Sequence, residues 1–149
     1  MQTQETNNAG KKINFTLFRH PKLARAVVKQ FGDEEAFMEK SADVTNHGIS
    51  GGFSGWIYYT ETTAFARKNR AKIAELAEEL ACDLGEGTLE MIQGFNCLGK
   101  DDYSIDEIGR ALYGRGDDTQ ILNALAWFAA EEVCREWEDI NERNQQPLF

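Results

Sequence analysis

The stretch ILNALAWFAAEEVCREWEDI, residues 121–140, decides the fold of this chain. Asp117 or Asp118, just before it, is a residue type that caps helix N-termini. The stretch therefore predicts a last and longest helix that runs to about Asn144. Its large apolar side chains recur close to the period of one helix face, at Ile121, Leu125, Phe128, Val133, Trp137 and Ile140.

Trp127 stands beside Phe128, so this helix is apolar on more than one side. Two explanations remain open, deep burial within the fold and a seam between two copies of the chain. The spacing of the residues does not choose between them, and a homodimer stays among the alternatives.

Five further segments upstream have the period or the capping residues of helices. They are residues 22–31, a helix capped by Asp33, residues 62–84, residues 88–95, and a helix that opens with the capping box Ser104–Glu107 and ends at Gly114. The predicted fold class is mainly α, a compact single-domain bundle of five to six helices over residues 13–144. Residues 50–60 leave room for a small β-hairpin, because WIYYT at 56–60 has extended character. Residues 1–12 are expected to be a disordered lead, and residues 145–149 a C-terminal tail peptide.

Charge is sorted along the 149 residues. Residues 1–30 hold six Lys or Arg and one acid, whereas residues 74–149 hold eighteen acids and five Lys or Arg, within a net charge of −9. Such an acidic half repels nucleic acid, but it can compete with nucleic acid for a basic protein surface. The composition therefore favours an interaction protein and disfavours direct binding of nucleic acid. The role of the basic first thirty residues stays open.

The composition also bounds location and cysteine chemistry. No apolar run reaches the roughly 20 residues of a membrane span, and the first ten residues lack the apolar core of a secretory signal. A cytoplasmic protein without membrane contact is expected. The three cysteines, Cys82, Cys97 and Cys134, form no CxxC pair and have no histidine near them. They predict buried thiols rather than disulfides or a metal site.

Residues 48–52, GISGG, match the hydrolase pattern G-x-S-x-G. That motif needs a strand before it, a helix directly after it and a histidine later in the chain, and no histidine follows His47. We therefore expect no enzyme, no catalytic residues and no cofactor. The glycine-rich segment 48–55 is either a tight turn or a backbone cradle for an anion.

Two charged clusters are candidate binding sites. Four cations follow an aromatic segment and could bind an anion, although pairing with the chain's own acids is the favoured explanation: Arg67, Lys68, Arg70 and Lys72. They occupy the first half of the helix predicted at 62–84, where the helix dipole disfavours positive charge. Acids cover the outer face of the last helix, as a solvated surface or as a negative rod that imitates a phosphate backbone: Glu132, Glu136, Glu138, Asp139 and Glu142.

The C-terminal residues 145–149, QQPLF, end the chain on two apolar side chains. The pattern Q-x-x-L-F resembles the short peptide with which bacterial polymerases and repair proteins dock onto the sliding clamp. The resemblance implies that Gln145 would hydrogen-bond in a small pocket of the clamp, and that Leu148 and Phe149 would fill an apolar one. A tail folded back on its own core is the alternative.

Four segments carry a wider resemblance: GGFSGWIYYTETTAFARKNRAKIAELAEEL from residue 51, LEMIQGFNCLG from 89, DEIGRALYG from 106 and ILNALAWFAAEEV from 121. Over about residues 48–135 the chain resembles a domain of unknown function found in phages and prophages. This resemblance transfers no catalytic residue and leaves residues 1–45 outside it. Small acidic phage proteins resemble inhibitors of restriction or CRISPR systems, some of which imitate DNA.

Two functions follow as hypotheses. The first is a non-enzymatic mobile-element protein in a bacterial host, an anti-defence inhibitor whose acidic helix covers the basic surface of a host nucleic-acid-handling protein. The second is a replication or repair accessory protein that its tail tethers to the sliding clamp.

Overall fold

The computed structural model describes residues 13–47, 59–81, 86–94 and 103–145, and each regular element in these ranges is helical. A short 3-10 turn, Phe15–Leu17, precedes the first helix. Seven α-helices follow in the described ranges, and they confirm the mainly α class. They are α1 (Pro21–Gln30), α2 (Glu34–His47), α3 (Tyr59–Lys68), α4 (Arg70–Ala81), α5 (Glu86–Gln93), α6 (Ile105–Tyr113) and α7 (Thr119–Gln145).

The predicted count of five to six helices is wrong, because the helix predicted over residues 62–84 is divided at Asn69. The Asn69 side chain is buried and donates a hydrogen bond of 2.9 Å to the carbonyl of Phe65, four residues earlier. The Asn69 backbone N–H is shared between the carbonyls of Phe65 and Ala66, at 3.0 and 3.2 Å, a bifurcated hydrogen bond of a kind that is common at helix ends. One helix, α3, therefore ends before Asn69, and another, α4, begins after it.

The hairpin predicted around residues 50–60 is not matched. Its last two residues, Tyr59 and Thr60, lie in the first turn of α3, so they are helical and not extended. The rest of the predicted hairpin, up to residue 58, lies outside the described residues, as does the glycine-rich segment 48–55.

Local capping signals place most other helix ends where the sequence predicts them. Gly32 has a φ of 117°, a left-handed conformation that suits glycine and separates α1 from α2. The Asp33 carboxylate then accepts a hydrogen bond of 2.8 Å from the backbone N–H of Ala36. Ser104 and Glu107 form the predicted capping box at the start of α6. Asp118 caps α7 by accepting hydrogen bonds from the backbone N–H groups of Gln120 and Ile121, at 3.0 and 3.1 Å.

The described residues divide into two compact units. The terminal unit contains those within 1–56 and 130–149, and the central unit contains those within 57–129. In the terminal unit, the fully buried Phe37 ring meets Phe31 edge to face at 5.4 Å and lies 6.4 Å from the Trp137 ring. Burial of such a ring contributes about 1.5–3 kcal/mol to stability. These contacts pack α2 beside the second half of α7.

In the central unit, α4, α5 and α6 pack against one another. Their shared core contains the fully buried side chains of Ile73, Ile92, Ile108 and Leu112. The first part of α7 is buried on all sides, since six consecutive residues from Ile121 to Ala126 are less than a tenth exposed. Deep burial within the chain therefore accounts for the apolar character that the sequence shows on several sides of this helix. None of the described helices has the length and the apolar character that crossing a membrane requires.

Candidate interaction surfaces

The predicted acidic face of α7 is divided between internal contacts and solvent. Glu136 faces inward, with its side chain 18% exposed. Its carboxylate accepts a hydrogen bond of 2.9 Å from the backbone N–H of Arg19 and lies 3.5 Å from the Arg19 Nε. Glu136 thus anchors the segment before α1 onto α7, which is a structural role.

Glu138 is also used within the terminal unit. The hydroxyl of Ser41, a fully buried residue of α2, donates a hydrogen bond to its carboxylate. A buried hydroxyl costs free energy unless it finds such a partner. Glu138 therefore supports the packing of α2 on α7 and is not an open binding group.

The other acids of this face are closer to solvent. Glu132 pairs with Arg135 one turn later, and Asp139 pairs with Arg143 at 3.3 Å, with both side chains of the second pair about two-thirds exposed. Glu142 is exposed and makes no ion pair within the described residues. Only Asp139 and Glu142 of the five predicted acids thus point fully outward.

A second acidic stripe, which the charge counts of the sequence missed, lies on α2. Glu35, Glu39 and Asp43 are all exposed and follow one another at four-residue steps. Residues at this spacing share one helix face. The signal was present in the sequence as three evenly spaced acids, but it fell in a stretch whose net charge is close to zero. Lys40 interrupts the negative charge of this helix.

The cation cluster of residues 67–72 is mostly part of the chain's own structure. Arg70 donates hydrogen bonds from one guanidinium nitrogen to the carbonyl oxygens of Ala111 and Gly116, the second at 2.9 Å. Arg67 binds Asp117, with its Nε 2.6 Å from the Asp117 carboxylate. Both arginines therefore hold the connection between α6 and α7.

The break at Asn69 also explains the positions of two of the four cations, while Arg70 and Lys72 lie in the first turn of α4. Arg67 and Lys68 lie in the last turn of α3, where the helix dipole favours cations. The hydrogen bond from Arg67 lowers the pKa of the Asp117 carboxyl below its ordinary value. Pairing with the chain's own acid, one of the two explanations that the sequence allowed, thus applies to Arg67. Lys68 and Lys72 make no ion pair within the described residues.

The pKa of one tyrosine, Tyr113, is raised at the surface of the central unit. The hydroxyl of Tyr113 donates a hydrogen bond to the Glu78 carboxylate. Partial burial, followed by this hydrogen bond and by the nearby negative charge, raises the pKa of Tyr113 to about 12. The phenol therefore stays protonated at neutral pH and joins α6 to α4.

Cys134 is fully buried in the terminal unit. Burial raises the pKa of its thiol well above the ordinary value, and the charges of Glu138 and Glu131 add to the effect. The thiolate is the nucleophilic form of cysteine, so burial disfavours the reactive form of this thiol. Within the described ranges no group of histidine, cysteine and acidic side chains is arranged to hold a metal ion.

Some predicted features lie beyond what the structure describes. Leu148 and Phe149 of the predicted tail site are outside the described residues, as are Cys82 and Cys97, which were predicted as buried thiols. The backbone of Gln145 forms the last residue of α7, but its side chain is outside the described set.

A protein-family model matches residues 20–143, and the family is a domain of unknown function, DUF7222. Because the match covers most of the chain, the chain belongs to this family. The match begins in front of α1, so it includes the first 45 residues in part, which the resemblance seen in the sequence excluded. No curated protein and no solved structure matches the chain.

Proposed function

We propose that this DUF7222 protein is a non-enzymatic binding protein of a phage or another mobile element, which inhibits a host defence protein by covering its basic nucleic-acid-binding surface. One observation carries the proposal. Two helices that pack together in the terminal unit, α2 and the second half of α7, both expose carboxylates to solvent, on Glu35, Glu39, Asp43, Asp139 and Glu142.

The exposed acids of these two helix segments give the surface an excess of negative charge, which favours a basic partner. Exposed carboxylates outnumber exposed cations on these two helix segments by five to three, the cations being Lys40, Arg135 and Arg143. Complementary charges of this kind accelerate association and select partners, more than they add affinity. The complex should therefore form quickly and weaken as salt rises.

The test compares two variants with equal changes of net charge. E35Q/E39Q/D139N/E142Q neutralises exposed acids of the terminal unit, and E75Q/E79Q/E90Q/D106N neutralises exposed acids of the central unit. Glu136 and Glu138 stay intact in both, because they hold the fold together. Each protein is used to capture proteins from a bacterial lysate at low and at high salt, and the captured protein is identified and purified.

The proposal predicts a nucleic-acid-binding protein that wild type retains at low salt and loses at high salt. Wild type and the central-unit variant should displace duplex DNA from that protein, and the terminal-unit variant should fail to do so. Capture that does not depend on salt, or equal loss in both variants, contradicts the proposal.

The clamp-binding tail is a second candidate, and the sequence QQPLF is the observation that favours it. The helix that carries Gln145 ends at that residue, ahead of Leu148 and Phe149. A chain truncated after Gln146 should lose capture of the sliding clamp and keep the salt-dependent capture of other proteins. Clamp capture by the truncated chain would exclude the tail as the tether.

A further inference from the structure

We propose that the outer face of α1 binds the phosphate backbone of a double-stranded nucleic acid. This inference concerns a different surface from the acidic helices and does not rest on the function proposed above. It gives a role to the excess of cations in residues 1–30. The function proposed for the acidic helices does not explain that excess.

The sequence of α1, PKLARAVVKQ, separates its two faces cleanly. Leu23 and Val27 are buried, whereas Lys22, Arg25 and Lys29 are exposed. These cations lie at three- and four-residue steps, which places them in one row along the helix. With a rise of 1.5 Å per residue, the row is about 10 Å long. The helix contains no acid.

The three cations have no acidic partner in the described part of the chain. That is notable in a protein with 25 acids and a net charge of −9. Two acids near the segment before α1, Glu34 and Glu136, instead accept hydrogen bonds from its backbone N–H groups. Glu34 accepts a hydrogen bond of 2.7 Å from the N–H of Ile13, and Glu136 accepts one from the N–H of Arg19.

Arg25 is held in place for binding. Its guanidinium lies 4.3 Å from the centre of the Phe15 ring, in the 3-10 turn before α1. A guanidinium over a ring is attracted to the ring face through its charge, and the contact occupies none of its hydrogen-bond donors. Asn14 fixes the turn that carries Phe15 by accepting a hydrogen bond of 3.2 Å from the N–H of Thr16. Arg25 therefore loses less conformational entropy when it binds a phosphate.

Charge density favours a nucleic acid over a second copy of this chain. The exposed acids of α2 place three charges over about 12 Å, and surface ion pairs of this kind are individually weak. A duplex presents one charge for about every 1.7 Å of its axis, and each neutralised phosphate releases a condensed counterion. The net charge of −9 opposes binding, but screening limits the reach of distant acids to about 10 Å at 0.1 M salt.

The experiment measures fluorescence anisotropy of a labelled duplex of about two helical turns, titrated with the full chain between about 50 and 200 mM salt. Wild type should bind with a logarithmic salt slope near −3, as about three phosphate contacts imply. K22Q/R25Q/K29Q should weaken binding at least about tenfold and bring the slope towards zero, since each lost phosphate contact removes about one unit.

Two control variants make the result specific. K68Q/R110Q/R115Q removes three exposed cations of the central unit, with the same change of net charge, and should bind within about twofold of wild type. K22R/K29R keeps the charges of α1 and leaves Arg25 over Phe15, and it should also keep binding. Circular dichroism of each variant checks that the helices are intact.

Four outcomes overturn the assignment. The first is no duplex binding by wild type at about 50 mM salt, and the second is equal weakening by the two glutamine variants. The third is that the protein binds vesicles that contain an anionic lipid but does not bind the duplex. That result would assign the row of cations to a membrane surface. A salt-sensitive dimer that forms without DNA and is lost in K22Q/R25Q/K29Q would likewise replace the nucleic acid with a second copy.

Discussion

Two parts of this protein carry closely spaced cations, α1 and the junction of α3 with α4. At the junction, Arg67 binds Asp117, and Arg70 binds the backbone carbonyl oxygens of Ala111 in α6 and of Gly116 after it. On α1, Lys22 and Lys29 meet no acid in the described part of the chain. The same residue types thus support the fold in one place and remain available in the other. The number of charges in a segment does not show which use they have, whereas their partners do.

The acids of α7 show the same difference between charges that support the fold and charges that remain available. Glu136 and Glu138 hold the segment before α1 and the buried Ser41, whereas Asp139 and Glu142 point to solvent. A helix face that looks uniformly acidic in the sequence therefore divides into structural and accessible groups.

The largest expected effect is at Arg70. Arg70→Ala should lower the free energy of unfolding by about 2 kcal/mol, because two carbonyl oxygens, those of Ala111 and Gly116, lose a charged donor. Urea unfolding followed by circular dichroism measures it. Lys68→Ala, an exposed neighbour, is the control and should change stability by less than about 0.5 kcal/mol. Equal effects of the two substitutions would remove the distinction between structural and available cations.

The next effect is at Glu138. Glu138→Ala should destabilise the protein by about 1–2 kcal/mol, because the buried hydroxyl of Ser41 loses its charged acceptor and keeps only the Met38 carbonyl, at 3.5 Å. Glu142→Ala, one turn later and exposed, should leave the unfolding midpoint almost unchanged. If Glu142→Ala were the more harmful change, the division of the acidic face would be wrong.

A smaller effect, which depends on pH, is expected for the pair of Arg67 and Asp117. The pKa of Asp117 is lower in the folded protein than in the unfolded chain, so the unfolded chain binds its proton first as pH falls. The pair therefore stabilises the fold above the ordinary carboxyl pKa, and this contribution is lost as pH falls through the lowered value. Asp117→Asn should remove that part of the acid dependence. Thermal unfolding of both proteins from neutral to acidic pH tests this, and identical profiles would contradict it.

The smallest effect on stability is expected at α1. K22Q/R25Q/K29Q should unfold within about 1 kcal/mol of wild type, because the three side chains are exposed and make no ion pair in the described part. Only the contact between Arg25 and Phe15 is lost. A larger loss would mean that this row of cations supports the fold.

How far the sequence predicts these features depends on how local they are. Capping by Asp33, Ser104 and Asp118 was predictable, because each cap involves residues within four positions of one another. The break at Asn69 was not, because the sequence around it continues the helical period and only a buried side chain divides it.

The structural roles of Glu136 and Glu138 were not predictable from the sequence for a related reason. The partner of Glu136 lies 117 positions away in the chain, and that of Glu138 lies 97 positions away. Periodicity and charge counts describe neighbours in sequence, so they carry no information about contacts of this length. Arg67 was the intermediate case, since pairing with the chain's own acids was one of two open explanations and Asp117 supplies the acid.

The most direct test of the account compares two variants, K22Q/R25Q/K29Q and R67Q/R70Q, each by its urea midpoint and its duplex affinity. We expect the first to keep the wild-type midpoint and to lose duplex binding. The second should unfold at lower urea, yet bind the duplex like wild type while it is folded. Loss of duplex binding by folded R67Q/R70Q, with binding retained by K22Q/R25Q/K29Q, would contradict the account.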